Sequence, residues 1–113
     1  MSLVEETESM AKRDRQELAS RLRVLATHLL KWHAQRGHRS SSWSGTIREQ
    51  RRQIARQLGN SPSLRPVLDE ILAEIYTDAR EEAAEETGLS EADFPSSCPF
   101  ALEDVLSDSF LPE

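Results

Sequence analysis

The sequence is poor in the residues that mark most specialised chemistry. It has one cysteine, Cys98, among 113 residues. No intrachain disulfide can form, and a reducing cytosol is the expected setting. Cys98 has no cationic sequence neighbour to lower its pKa, so an unreactive thiol is expected. The four glycines are scattered singly, whereas a phosphate-cradling loop needs several close together. Aromatics make up 5% of the chain and charged residues 30%, a balance that favours helices over a sheet. No run of eighteen apolar residues occurs, which excludes a membrane-spanning helix. The opening MSLVEETES is acidic and has no apolar core segment, which argues against a signal peptide.

Catalytic and metal signatures are missing as well. The three histidines, His28, His33 and His38, are spaced five apart, which sets neighbouring pairs about 140° apart on an ideal helix. No His-Glu-x-x-His and no zinc-type Cys/His spacing is present, so no metal is expected. Ser40, Ser41, Ser42 and Ser44 lie near His38, but no strand-turn-helix elbow surrounds them, and helix capping accounts for them. The expectation is a protein without catalytic residues, metal or cofactor.

What the chain does have is charge, unevenly divided. Residues 1–59 carry twelve Lys/Arg against six Asp/Glu, whereas residues 60–113 carry two against fourteen. Such a split arises from a basic surface for a polyanion, or from basic and acidic helices laid against each other. The second reading is preferred, because the acidic half opposes long-range steering toward nucleic acid.

Apolar periodicity predicts an all-α fold: a small bundle of three main helices over about 2–35, 43–58 and 62–87, plus a short helix over about 99–107. At this length the chain fits a single helical domain, 1–113. The first helix opens on Ser2 and Glu5 in capping-box spacing. Its stripe runs Val4, Thr7, Ala11, Leu18, Leu22, Leu25, Leu29 and Trp32, interrupted by Asp14. The second helix starts between Ser42 and Thr46, carries Trp43, Ile47, Ile54 and Leu58 on one face, and stops at Gly59-Asn60. The third has Ser61 or Ser63 as its cap and Pro62 or Pro66 in its first turn. Its stripe is Leu64, Leu68, Ile71, Leu72, Ile75, Ala79 and Ala83, and Gly88 ends it. Phe94, Phe100, Leu102, Leu106 and Phe110 anchor the remainder.

Three groups of residues stand out as candidate sites. Arg51 lies on the apolar face of the second helix, where an unpaired charge is costly. It is expected to pair with an acid of the third helix or to bond near His28, and His28, Lys31, Arg39, Trp43 and Arg51 then form a candidate polar cluster. Arg48, Arg52 and Arg56 repeat every four residues on another face and form a candidate nucleic-acid surface. The acidic row Glu70, Glu74, Asp78, Glu81 and Glu85 is an alternative destination for some of those arginines. The third group follows from length: the first helix is about 50 Å long and the second about 25 Å. The amino half of the first, with Leu3, Val4, Met10 and Ala11, is short of partners inside the chain. Either the carboxyl-terminal segment wraps there, or a second copy or another protein does.

Several segments taken together carry a resemblance: HLLKW at 28–32, SSSWSGTIREQRRQIARQL at 40–58, SPSLRP at 61–66, ETGL at 86–89, FPSSCPF at 94–100 and FLPE at the end. In that order they resemble the bacterial family catalogued as domain of unknown function number twenty-nine, over nearly the whole chain. The resemblance implies an all-helical fold found in cyanobacteria and proteobacteria, with no assigned activity. Members usually have a further amino-terminal segment of the Tyr-x-x-Asp-x-x-x-Trp kind, so this chain reads as shortened there, at the surface the length argument leaves bare. The functional expectation is a cytoplasmic, dimeric, non-enzymatic protein–protein interaction module. The alternative is nucleic-acid binding through the second helix.

Overall fold

The backbone of the first helix, α1, runs from Leu3 to Ala34. The computed structural model describes residues 3–113, with side chains from Met10 onward. The expected Ser2–Glu5 capping box and the side chains of Leu3, Val4 and Thr7 lie outside the described residues. Further along, the stripe is buried as its spacing predicts, with Leu18, Leu22, Leu25 and Leu29 fully inaccessible. A 3-10 turn at Arg36–His38 follows.

The second helix, α2, spans Ser41–Asn60, two residues longer at each end than the periodicity suggests. Ser40 is its cap, its Oγ accepting from the Trp43 backbone N–H at 3.2 Å. Gly59 does not end the helix, because the Ser61 N–H still reaches the Gln57 carbonyl at 2.8 Å and continues the ladder. The stop comes from Pro62, whose ring disfavours helical geometry at the residue before it; Ser61 sits at φ -133, ψ 67.

The third helix also differs from expectation at its start. Residues Pro62–Val67 form a 3-10 turn, and the α-helix proper, α3, spans Leu68–Thr87. Pro66 lacks an amide hydrogen and disfavours helical geometry at Arg65, so a regular α ladder begins only beyond it. Ser61 makes no capping bond; its hydroxyl donates to Asp14 Oδ2 at 3.1 Å. Gly88 ends α3 as expected, in the left-handed region at φ 77, with its N–H on the Ala84 carbonyl. No atom crowds a side chain built there, so the backbone angle alone calls for glycine.

Cross-helix contacts fix the directions. Lys31 lies at Trp43, Arg21 at Gln50 and Asp14 at Gln57, so α2 runs antiparallel to α1. Arg15 meets Glu74, Arg23 meets Glu82 and Lys31 meets Glu86, so α3 runs parallel to it. Helix α1 packs along both, while α2 and α3 hardly touch each other. The expected pairing of Arg51 with an acid of the third helix thus lacks the α2–α3 contact it would need.

The carboxyl-terminal segment bridges α3 and α2. The Tyr76 hydroxyl of α3 donates to the Pro95 carbonyl at 2.6 Å, and further on Arg51 of α2 donates to Val105. Between them Phe94 and Val105 are buried, and Cys98, Phe100, Leu102 and Leu106 pack against the same core. The short helix α4 is confined to Leu102–Leu106, less than the expected 99–107. Ala101 at its start is extended and offers no side-chain cap, and Pro99 precedes it. Phe100 and Phe110 meet edge to face at 6.0 Å.

Among the described side chains, this routing leaves residues 10–13 of α1 exposed, and no bond of the carboxyl-terminal segment reaches them. Asp14 and Arg15 are the first residues of α1 with cross-helix bonds among the described side chains. Before them, Met10 is 62% exposed, and Ala11, Lys12 and Arg13 are exposed too. The molecule is accordingly long, 53 × 26 × 21 Å.

Candidate functional site

Arg51 is the most constrained of the singled-out residues. Packing of α2 buries it to 4% exposure, and its guanidinium must then find acceptors. Nε donates to the Val105 carbonyl at 2.8 Å and Nη2 to the Asp104 carbonyl at 3.2 Å. The expected acid of the third helix is not its partner, nor is the His28 region. The carbonyls near the end of a helix lack intrahelical donors; in five-residue α4 the Val105 carbonyl takes Arg51, and the Asp104 carbonyl takes both Arg51 and the capping Ser107 N–H. Burial lowers the Arg51 pKa, and Asp108 opposes that shift; an arginine stays protonated throughout.

The remaining members of the candidate cluster separate into three small assemblies. Lys31, buried at 6% exposure, holds its Nζ 4.7 Å from the Trp43 ring centroid and 3.6 Å from Glu86. It thereby joins all three long helices at one level. Arg39 lies over the Trp32 ring at 5.0 Å; it donates to the Trp32 carbonyl at 2.8 Å and, through Nη2, to the Pro112 and Glu113 carbonyls. His28 donates from Nδ1 to the Val24 carbonyl one turn back, at 2.9 Å. The five residues therefore do not line one cavity. The space beside Arg51, bounded by Ser44, Ile47, Arg48, Asp108 and Leu111, is about 70 Å³, room for a few waters at most.

The acidic row has a different set of clients than expected. Arg15 bonds both carboxylate oxygens of Glu74 at 3.1 and 3.2 Å and approaches Glu70 at 3.7 Å, and Arg23 pairs with Glu82. The α3 acids thus serve α1, because α1 is the neighbour of α3 and α2 is not. On α2, Arg48, Arg52 and Arg56 are all exposed. Arg52 pairs with Glu49 one turn back on its own helix, and no ion pair of Arg48 or Arg56 occurs among the described residues.

Sequence reasoning missed the polar knot at the far end of α2. Gln57 donates to the Asp14 carbonyl at 2.6 Å beside the Ser61–Asp14 bond, and its Oε1 is buried with no donor. The adjacent open cleft, about 330 Å³, is bordered by Glu17, Gln53 and Arg56. A larger one, about 550 Å³, lies between His33, Leu89 and Phe94. The only sequence sign of the knot was Asp14 interrupting the stripe. Among the described residues no group of three His, Cys, Asp or Glu is placed to hold a metal ion. No described helix is long and apolar enough to cross a membrane.

Cys98 is half-buried, and burial holds its thiol above the ordinary 9.0 against the bond to the Phe100 carbonyl. Burial, then the nearby Cys98, raise the Tyr76 hydroxyl above 10.0. Both groups favour the protonated form in the folded state, so the stability they contribute is present below their unfolded pKa values and lost above them. The fold is expected to weaken as pH rises through about 9 and beyond. Urea midpoints between pH 7 and 10.5 test this, and in Cys98→Ala the loss is expected to begin about one pH unit later. Midpoints flat to pH 10.5 would show that neither group is held by the tail.

A family model described as domain of unknown function DUF29 matches residues 1–111. No curated protein and no solved structure matches the chain.

Proposed function

Because the chain belongs to the DUF29 family, whose description names no activity, we propose a function from geometry: a non-enzymatic, cytoplasmic protein–protein interaction module that docks through the projecting end of α1. One observation carries this. The backbone of α1 runs about eleven residues, roughly 16 Å, beyond Asp14 and Arg15, where the first cross-helix bonds among the described side chains occur. The stripe buried at Leu18–Leu29 continues in sequence through Ala11, Thr7 and Val4, with Leu3 and Met10 on one flank. A short isolated helix is marginal in water, and the exposure of Met10 and Ala11 along this stripe supports a docking surface.

The test is association of the full chain and of its Met10→Glu and Ala11→Glu variants with whatever protein it binds, itself included. Both sites are exposed, so the variants are expected to melt with the parent and to bind at least about tenfold more weakly. Unchanged association in both would place the interface elsewhere and end this reading.

A second reading, nucleic-acid binding, is favoured by the exposure of Arg48, Arg52 and Arg56 together and by the separation of α2 from the α3 acids. It requires affinity that falls steeply with salt, with a log–log slope of about -2 to -3 for three phosphate contacts. A flat salt response would remove it.

A further inference from the structure

We propose that the occupant of the projecting end of α1 is the same segment of a second copy, laid antiparallel so that the two helices cross near Met10. This rests on the docking role of α1 and adds the partner and its orientation.

The argument is one of charge order along a helix. At 100° per residue, Val4, Thr7, Ala11 and Asp14 fall within about 40° of the line through Leu18. Glu8 and Lys12 fall on one flank of that stripe, and Glu6 and Arg13 on the other. Each flank therefore reads acid first, base second. Facing the segment with itself antiparallel about Met10 sets Glu8 level with Lys12 and brings Glu6 within one residue, about 1.5 Å along the axis, of Arg13 on the same flank. The two-fold axis repeats both pairs, giving four contacts of opposite sign. Facing it parallel sets acid against acid and base against base.

Described acids of the bundle are engaged with other bases. Arg15 is held by Glu74 and Glu70, and Glu17 holds Arg21. Lys12 and Arg13 are exposed and form no ion pair among the described residues. The stripe between the flanks is modest, with Ala11 small and Thr7 polar, and the overlap is only about three helical turns. Such an interface falls below about 1,200 Å² and suits a weak, reversible dimer with a dissociation constant on the order of 10 µM. Its ion pairs are exposed, so salt weakens it further.

Sedimentation equilibrium of the full chain at low salt tests the proposal with two charge-reversed variants, Glu6→Lys/Glu8→Lys and Lys12→Glu/Arg13→Glu. The parent is expected to dimerise, each variant alone to associate at least about tenfold more weakly, and their equimolar mixture to recover parent-like affinity. Fraying of the helix end by the substitutions would not be repaired by mixing. Variants that dimerise like the parent, or a mixture that stays monomeric, would overturn the antiparallel pairing. A monomeric parent that still binds an identified protein, and loses it in Ala11→Glu, would overturn self-docking and leave the interaction module standing. A monomeric parent with no Ala11-dependent partner would overturn both.

Discussion

Arg51→Ala is expected to lower the stability of the fold by about 3 kcal/mol. The substitution removes the donor to the Val105 carbonyl and one of the two donors to the Asp104 carbonyl, and the Val105 side chain is fully buried. A charged donor to a carbonyl contributes roughly 1.5–3 kcal/mol, and a buried acceptor left bare costs more than the same acceptor in water. Loss of the side-chain stem adds a void against α4. Arg51→Met keeps the stem and loses only the donors, so it is expected to cost clearly less than Ala. In urea unfolding at neutral pH the order parent, Met, Ala is the expected result, with the Ala melt lower by about 10 °C. If Ala lies within about 0.5 kcal/mol of the parent, Arg51 does not hold the tail.

The second large effect comes from a pair of substitutions on α1. Leu25→Ala is expected to cost about 3 kcal/mol, in the range for a leucine removed from a close-packed interior. Leu25 is fully buried in the helix against which α2, α3 and α4 all pack, so the walls of the cavity cannot easily collapse. Met10→Ala, on the same helix fifteen residues earlier, is expected to leave the stability of the monomer within about 0.5 kcal/mol of the parent, because Met10 is 62% exposed. Denaturant titration at a protein concentration low enough to keep the chain monomeric compares the two. A Met10→Ala loss approaching that of Leu25→Ala would mean that the end of α1 is covered from within the chain.

Periodicity made the helices legible, and with them the buried stripes at Leu18–Leu29, at Ile47, Ile54 and Leu58, and at Leu68–Ala83. It also placed Arg51 correctly on a buried face, since burial is a local property of helical phase. The partner of Arg51 was not legible, because spacing along one helix carries no information about which element lies opposite. The assumption that α2 and α3 touch then sent Arg51 to the wrong acid and sent the α3 row to the wrong arginines. Boundaries failed for a related reason. Gly59 is a poor helix residue by roughly 1 kcal/mol, yet buried Leu58 and the Ser61–Gln57 bond outweigh that, whereas the two prolines that follow act through missing donors and steric clash. Helix lengths alone pointed to the exposure of Met10 and Ala11, the two residues of that face whose side chains are described.

The bridging position of the carboxyl-terminal segment bears on the order in which the molecule can be assembled. During synthesis α1, α2 and α3 emerge first, but the slot between α2 and α3 stays open to water until Phe94 and Val105 are available to fill it. A nascent chain paused near Gly88 therefore exposes apolar wall on two helices, and completion of the core waits for the last residues to leave the ribosome. In the finished protein the same segment, secured by Tyr76, Arg51 and Arg39, is the natural first part to detach, so amide exchange is expected to be faster in α4 than in the middle of α1.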